Sequence, residues 1–241
     1  HLRPRRQRQM CIRDRPAKHP DRIQLYTLPT PNGRKASIAL EEMGLPYEAH
    51  RIDIMNDDQF KPGFVALNPN SKIPSILDPQ GPGGQPHAVM ESGAILLYLA
   101  EKSDMLMPKE AVARSEAIQW LFFQMASVGP MFGQFGHFFK YGREACDHPY
   151  PRERYTKEAK RLLGVLDKRL QDRPWLMGAD YSIVDIATFP WVGCLDWGYD
   201  AWQELEVDSF AAVSDWHRRC AERPASQRGA AQRGGRSPSR P

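Results

Sequence analysis

Cysteine is scarce in this chain of 241 residues, which contains four: Cys11, Cys146, Cys194 and Cys220. No two of them stand in C-x-x-C spacing, so the sequence indicates neither a disulfide framework nor a zinc site built from clustered cysteines, and we expect no metal ion. So few cysteines are typical of a reducing compartment, and we therefore expect a cytoplasmic protein.

Long apolar runs are missing as well. No stretch approaches the roughly 20 apolar residues that a membrane-spanning helix needs. The chain is 41% hydrophobic and 26% charged, which is ordinary for a globular protein with a sizeable core. We expect one or two domains and no membrane partner.

An excess of positive charge is absent from the body of the chain, although the net charge is +4. Residues 1–22 carry eight basic and two acidic side chains, and residues 223–241 carry five basic and no acidic ones. The 200 residues between them hold 20 basic and 27 acidic side chains, so we expect no nucleic-acid partner. The ends, 1–22 and 224–241, lack apolar periodicity and are predicted to be disordered tails.

The first half of the body alternates between strand and helix patterns. Strand-like runs and amphipathic runs follow one another in the order βαβαββα over residues 23–103, which is typical of a small α/β layer. Polar residues and Pro108 mark residues 104–110 as a linker. From 111 to 223 strand patterns stop and helical spacing prevails, so the fold class is α/β plus all-α, with a C-terminal helical bundle.

A serine and an aspartate with capping-box spacing lie in this second half. In Ser182-Ile183-Val184-Asp185 the hydroxyl and the carboxylate each accept from a main-chain N–H at the start of a helix. We interpret Asp185 as structural, with a catalytic role as the alternative.

The opening strand and the turn after it have the composition of an anion site. Ile23–Leu28 suits a strand, Pro29–Gly33 supplies a turn, and a helix with an apolar stripe follows and ends at Gly44. A hydroxyl, an amide and the free N–H groups of a helix N-terminus are suited to hold a thiolate or another anion. The alternative is an ordinary β–α turn with a structural role alone.

Three motifs in this half resemble the glutathione-binding domain of glutathione transferases. They are Thr30-Pro31-Asn32-Gly33, Asn70-Ser71-Lys72-Ile73-Pro74 and Glu91-Ser92-Gly93-Ala94-Ile95. The box at Ser182 resembles a helix start of the same family, and the resemblance covers about residues 23–223. It is strongest to the bacterial Nu class, which includes glutathione-dependent disulfide-bond reductases.

The resemblance implies a thioredoxin-like domain whose opening turn holds the sulfur of glutathione. By resemblance Thr30 and Asn32 contact that sulfur, and no catalytic cysteine is present. Other classes of the family use a tyrosine close to this point, so Tyr26 is the rival donor, unless it is only a packed strand residue.

The same resemblance assigns the rest of glutathione to other positions. The Ile73–Pro74 bond is expected to be cis, with the Ile73 main chain pairing with the cysteinyl residue. Ser92 suits the γ-glutamyl carboxylate and Glu91 its ammonium group. The remaining predicted contacts to glutathione are Asn32, Gln59, Lys72 and Arg154. The alternative for Lys72 is a solvated lysine with no ligand, and the alternative for Arg154 is an ordinary surface arginine.

Aromatic residues after Gly129 are predicted to line the pocket for the second substrate. Phe132, Phe135 and Phe138 are the members we assign to it, with a core position as the alternative for each.

The function implied is a glutathione-dependent disulfide-bond reductase, with transferase or peroxidase activity beside it. The thiols would come from two glutathione molecules, and the acceptor would be a small disulfide or a hydrophobic electrophile. The alternatives are a plain glutathione S-transferase and a non-enzymatic interaction module. The family resemblance also implies a homodimer.

Overall fold

The computed structural model describes residues 15–231, which form two compact units. One unit comprises residues up to Met105 together with those from Pro224 onward, and the other comprises Leu106–Arg223. The division between Met105 and Leu106 lies inside the predicted linker 104–110.

The first unit is an α/β layer with the predicted order of strands and helices. Its elements are β1 (Ile23–Thr27), α1 (Pro31–Glu42), β2 (Tyr47–Arg51), α2 (Pro62–Val65), β3 (Ser75–Asp78), β4 (His87–Met90) and α3 (Ser92–Ser103). The sheet order is β2-β1-β3-β4, with β1 and β2 parallel and the other two pairs antiparallel. The order βαβαββα is confirmed, although α2 is a single short turn.

The central position of β1 explains its composition. All five of its residues are buried, because the strand has a neighbour on each edge and a packed layer on each face. One face covers a core cluster of Tyr26, Ile52, Phe64, Leu67 and Leu77.

The opposite face of the sheet carries Leu25 and Ile76, which are paired across β1 and β3 and have no exposed surface. Helices α1 and α3 pack against one another in the same unit. The two helices that begin at predicted site motifs are therefore neighbours.

The second unit is all-helical, as predicted. It contains α4 (Ala111–Phe123), α5 (Gly129–Gly136), α6 (Pro149–Leu170), α7 (Ile183–Trp197) and α8 (Ala211–Glu222). Residues Gln124–Val128 and His137–Tyr141 are π-helical, so a wider helical turn precedes Gly129-Pro130 at the start of α5.

The capping box at the start of α7 is confirmed. Asp185 has no exposed surface and accepts hydrogen bonds from Ser182 N, Leu176 N and Trp216 Nε1 at 3.0, 2.9 and 2.8 Å. Burial raises the pKa of Asp185, while these donors favour the carboxylate. With its acceptor oxygens occupied in this way, Asp185 is structural, and the catalytic alternative is set aside.

The C-terminal tail that we predicted to be disordered from residue 224 begins with a helix, so that prediction is wrong for Pro224–Ala230. This helix, α9, packs on α1, where Ser37 Oγ donates to Gly229 O at 2.9 Å and Arg228 Nε lies 2.7 Å from Glu41 Oε2. The helix approaches so closely because Gly229 has no side chain: a Cβ there would lie 2.8 Å from Ile38 Cα. The predicted disorder of residues 232–241 lies outside the described residues.

The N-terminal tail also needs a correction. The main-chain N–H groups of Lys18 and His19 donate to the Glu48 carboxylate at 3.0 and 2.7 Å, and Arg15 forms an ion pair with Asp58. Residues 15–22 are therefore held against the sheet by acidic groups that apolar periodicity does not reveal. The predicted disorder of residues 1–14 lies outside the described residues.

Candidate functional site

The N-terminus of α1 lies directly after the end of β1. Thr30 is the N-cap, with an extended backbone, and its Oγ1 accepts from Gly33 N at 3.2 Å. Pro31 and Asn32 are the first two helical residues, so Asn32 lies in the first turn of the helix rather than in a loop. Thr30 and Asn32 are both partly exposed at a helix end that favours negative charge.

Gly33 brings this helix end against the strand. A Cβ at Gly33 would lie 1.9 Å from Leu28 O and 2.5 Å from Thr27 Oγ1. Gly33 is inside α1 and has no positive φ, so close approach of the backbone, rather than turn geometry, requires glycine here.

Tyr26 is the rival donor from the sequence. The residue is 2% exposed, belongs to the core cluster and stacks on His50 with ring centroids 4.8 Å apart. These contacts correspond to the alternative reading of Tyr26 as a packed strand residue.

The loop before β3 contains the predicted cis peptide bond, between Ile73 and Pro74. Buried Asn68 shapes this loop: its Nδ2 donates to Lys72 O at 2.6 Å, and its Oδ1 accepts from Asn70 N at 2.9 Å. Within residues 15–231, the N–H and C=O of Ile73 have no protein hydrogen-bond partner, so both are available to an extended ligand. The Lys72 side chain is exposed.

The start of α3 has an unusual backbone. Glu91 is its N-cap and has a φ of 69°, a left-handed conformation that a non-glycine residue rarely adopts. Ser92, the first helical residue, is 5% exposed. Backbone strain of this kind is concentrated at binding and active sites, which makes Glu91 a functional candidate on structural grounds as well.

Lys35 is a site residue that the sequence analysis missed. The side chain extends from α1 to α3, is 1% exposed and donates from Nζ to Ser92 Oγ at 3.3 Å. Burial lowers the pKa of Lys35 well below its ordinary value, and the charge of Glu91 opposes that shift. Its position three residues before Ile38 and four before Ala39, on the apolar stripe of α1, was the available signal.

Two polar contacts bring the three motifs together. Lys35, five residues after Thr30, meets Ser92 at the start of α3, and Asn70 Nδ2 makes a long hydrogen bond of 3.4 Å to Glu91 Oε1. The N-termini of α1 and α3 and the loop at Ile73 are therefore parts of one polar surface.

Gln59 lies in a single turn of 3₁₀ helix that begins at Asp58. Asp58 accepts from Asp53 N at 2.9 Å and forms an ion pair with Lys61, whose hydrogen bond is the main reason that the pKa of Asp58 is lowered. Gln59 is 9% exposed, and its buried Oε1 has no hydrogen-bond partner among the described residues. An unsatisfied buried amide oxygen calls for an explanation, and a ligand N–H group would satisfy it.

The site residues that we predicted in the helical unit differ from one another in how deeply they are buried. Phe132 and Phe135 are 0% and 1% exposed, which corresponds to the core position that was the alternative for each. Both lie on α5, which packs on α6 and α7. Phe138 is half-buried and stacks on Tyr155, and Arg154 is exposed in the first turns of α6. Phe138 and Arg154 stay predictions.

The described part of the chain contains no group of three or more His, Cys, Asp and Glu side chains placed to hold a metal ion. Over the same residues, no helix has both the length and the apolar character needed to cross a membrane.

Two family models match the chain. The model for the N-terminal domain of glutathione S-transferases matches residues 30–102, and the model for the C-terminal domain matches residues 128–224. The first match includes all three motifs of the polar surface.

Individual relatives are similar over most of the chain. The disulfide-bond oxidoreductase YfcG of Escherichia coli is 44% identical, over 85% of this chain and 92% of that protein. A glutathione transferase family member from Pseudomonas fluorescens, solved with two glutathione molecules, is 55% identical with a TM-score of 0.88, over 89% of this chain and 95% of that one. A glutathione transferase from Pseudomonas putida was solved with one glutathione disulfide per subunit. It is 51% identical with a TM-score of 0.92, over 95% of this chain and 99% of that one.

The close approach at Gly33 gives a prediction for stability. Gly33→Ala should lower the free energy of unfolding by roughly 1–3 kcal/mol, because a new Cβ meets the main chain of Leu28, directly after β1, and the helix must move. Chemical denaturation measures the change. The matched control is Gly164→Ala in α6, where a Cβ would have only an ordinary contact at 3.8 Å and should stabilise the helix. Equal effects of the two substitutions would contradict the assigned role of Gly33.

Proposed function

Since this chain belongs to the glutathione S-transferase family, as its motifs predicted, we propose that it is an enzyme that reduces disulfide bonds with glutathione as the electron donor. The observation that carries the proposal is a helix N-terminus with a hydroxyl and an amide but no cysteine, since residues 12–145 contain none. Relatives that hold two glutathione molecules or one glutathione disulfide support it.

The first step of the reaction is an attack by a glutathione thiolate. A free thiol has a pKa near 8.5, so little thiolate is present at pH 7 unless the site stabilises it. The Thr30 hydroxyl accepts from Gly33 N and keeps its own proton free to donate to the sulfur. The Asn32 amide and the helix N-terminus would add to that stabilisation.

Two exchange steps complete the reduction. The thiolate forms a sulfur–sulfur bond with one sulfur of the substrate disulfide, and the other sulfur leaves as a thiolate that takes up a proton. A second glutathione thiolate then attacks the mixed disulfide, releasing the second substrate thiol and forming glutathione disulfide. The substrate gains two electrons, both from glutathione, so no cysteine of the protein is oxidised.

The remaining groups would hold the rest of the tripeptide. The free main-chain groups of Ile73 suit the cysteinyl residue, Ser92 and the N-terminus of α3 suit the γ-glutamyl carboxylate, and Glu91 suits the ammonium group. The unpartnered Gln59 Oε1 suits an N–H near the glycyl end, and Lys72 suits the glycyl carboxylate.

A second candidate function uses the same thiolate. The matched family models are described as glutathione S-transferases, which favours conjugation of glutathione to an electrophilic carbon, with peroxidase activity as a further possibility for the same thiolate.

The thiolate role of Thr30 predicts a specific loss of activity. Thr30→Ala should lower kcat/KM for reduction of 2-hydroxyethyl disulfide about 10- to 100-fold, the effect of losing one hydrogen bond to a charged group. Its pH–rate profile should shift to higher pH, because loss of a donor to the anion raises the pKa of the bound thiol. Thr30→Ser, which keeps both the hydroxyl and the helix cap, should remain close to the wild type.

The same enzymes assayed with a chloronitrobenzene separate the candidate functions. Turnover of the disulfide alone supports the reductase, and turnover of the aryl halide alone supports the plain transferase. A wild-type protein with no affinity for glutathione would leave the interaction module as the remaining hypothesis. Unchanged disulfide reduction by Thr30→Ala would contradict the role of Thr30.

The family also leads us to propose a homodimer. Sedimentation velocity at micromolar concentration should give the mass of two chains, because closed two-fold pairing is the commonest assembly of such proteins. A single-chain mass across a dilution series would contradict the proposal.

The proposed reaction bears on location, because it consumes reduced glutathione and a reducing compartment supplies it. A cytoplasmic location therefore stays our prediction.

A further inference from the structure

The proposed reaction leaves the last helix of the described chain, α9, without a role. This helix follows the helical unit in sequence, but it packs on α1 of the first unit. The contact is close: a Cβ at Gly229 would lie 2.7 Å from Ile38 Cγ1 and 2.8 Å from both Cα and N of Ile38. The helix whose N-terminus is the candidate site is therefore held a second time, five residues after Gly33.

Ser37 is the residue of α1 that joins this contact to the start of the helix. Its Oγ lies 2.9 Å from Gly229 O, 3.2 Å from Arg34 O and 3.4 Å from Gly33 O. The side chain is buried, and its hydroxyl has only one proton to donate. Because Gly229 O is the nearest acceptor, the proton goes to α9 rather than to Gly33 O within α1.

We propose that α9 is a positioning element for the thiolate site, acting through the Ser37 hydroxyl. When α9 moves away, the acceptors left to this hydroxyl are carbonyl groups of its own helix. A serine that donates to the carbonyl four residues before it destabilises a helix slightly and often bends it. That carbonyl belongs to Gly33, so the bend falls on the turn that carries Thr30 and Asn32.

A charged contact attaches α9 further along α1. Arg228 Nε lies 2.7 Å from Glu41 Oε2, and Tyr47 Oη donates to Glu41 Oε1 at 2.9 Å. Glu41 therefore joins α9, α1 and β2, and salt screens this ion pair less than one in open solvent because the Glu41 side chain is 10% exposed. Of the two attachments, the one at Ser37 is next to the site.

This inference rests on the proposed function, and its test observes the bound thiol in full-length protein. With glutathione at saturation, the ultraviolet absorbance of the thiolate is followed against pH, which gives the pKa of the bound thiol. The rate of 2-hydroxyethyl disulfide reduction is measured on the same samples.

Gly229→Ala displaces α9, because the new Cβ meets the main chain of Ile38. This variant should raise the pKa of the bound thiol, since the donors of α1 shift away from the sulfur. Its kcat/KM should fall about 3- to 30-fold, the usual size of coupling between separate sites. Gly164→Ala, where a Cβ would have an ordinary contact at 3.8 Å, is the matched control and should change neither value.

A second substitution separates a positioning role from a structural one. In the double variant Gly229→Ala, Ser37→Ala, no hydroxyl is left to turn to Gly33 O. The pKa of the bound thiol and kcat/KM should therefore return towards the wild type, although the double variant unfolds more easily. If Gly229→Ala does not fold, Arg228→Met, which removes the ion pair with Glu41, takes its place and should shift the pKa in the same direction.

Two results would overturn the inference. One is an unchanged pKa of the bound thiol in a folded α9 variant, and the other is a double variant that stays as impaired as the single one. If the wild type binds no glutathione, or binds it without forming the thiolate, the proposed function fails first. If the wild type forms the thiolate and the α9 variants form it equally well, only the inference about α9 fails.

Discussion

The contact on which the site depends is the approach of α1 to the end of β1 at Gly33, where no side chain fits between helix and strand. This contact fixes where the helix begins, and with it the positions of the Thr30 hydroxyl and the Asn32 amide. It also sets the direction of α1, along which Lys35 reaches α3. The absence of a Cβ at Gly33 therefore sets the position of the Thr30 hydroxyl relative to the start of α3.

The candidate site residues depart from the ordinary rules of folding at several points. Lys35 is buried, Glu91 has a left-handed backbone, and Gln59 Oε1 is buried without a partner among the described residues. Such departures are expected where structure serves binding, because a ligand can supply a partner to Gln59 Oε1 or offset the strain at Glu91. Asp185 in the helical unit is the contrast, since its carboxylate is fully satisfied by the protein.

Most of the fold could be predicted from the sequence, because the buried elements carry clear periodicity. The strand-prone composition of Ile23–Leu28 predicted the central strand, and the box at Ser182 predicted the start of α7. The site was predicted because the three motifs resemble the glutathione-binding domain of glutathione transferases.

The misses share a physical cause, which is that tertiary packing decided them. Lys35 is buried because α3 lies beside it, and residues 224–230 are helical because α1 accepts a glycine there. Phe132 and Phe135 are buried as well, and the sequence did not show this because an aromatic residue on a helix does not reveal which neighbour covers it.

The central claim is that glutathione supplies both thiols and the protein none. The most direct measurement is the rate of 2-hydroxyethyl disulfide reduction by a variant in which Cys11, Cys146, Cys194 and Cys220 are all alanine, at a temperature where circular dichroism shows it to be folded. The account predicts a rate close to that of the wild type. Loss of the activity in the folded variant would contradict it.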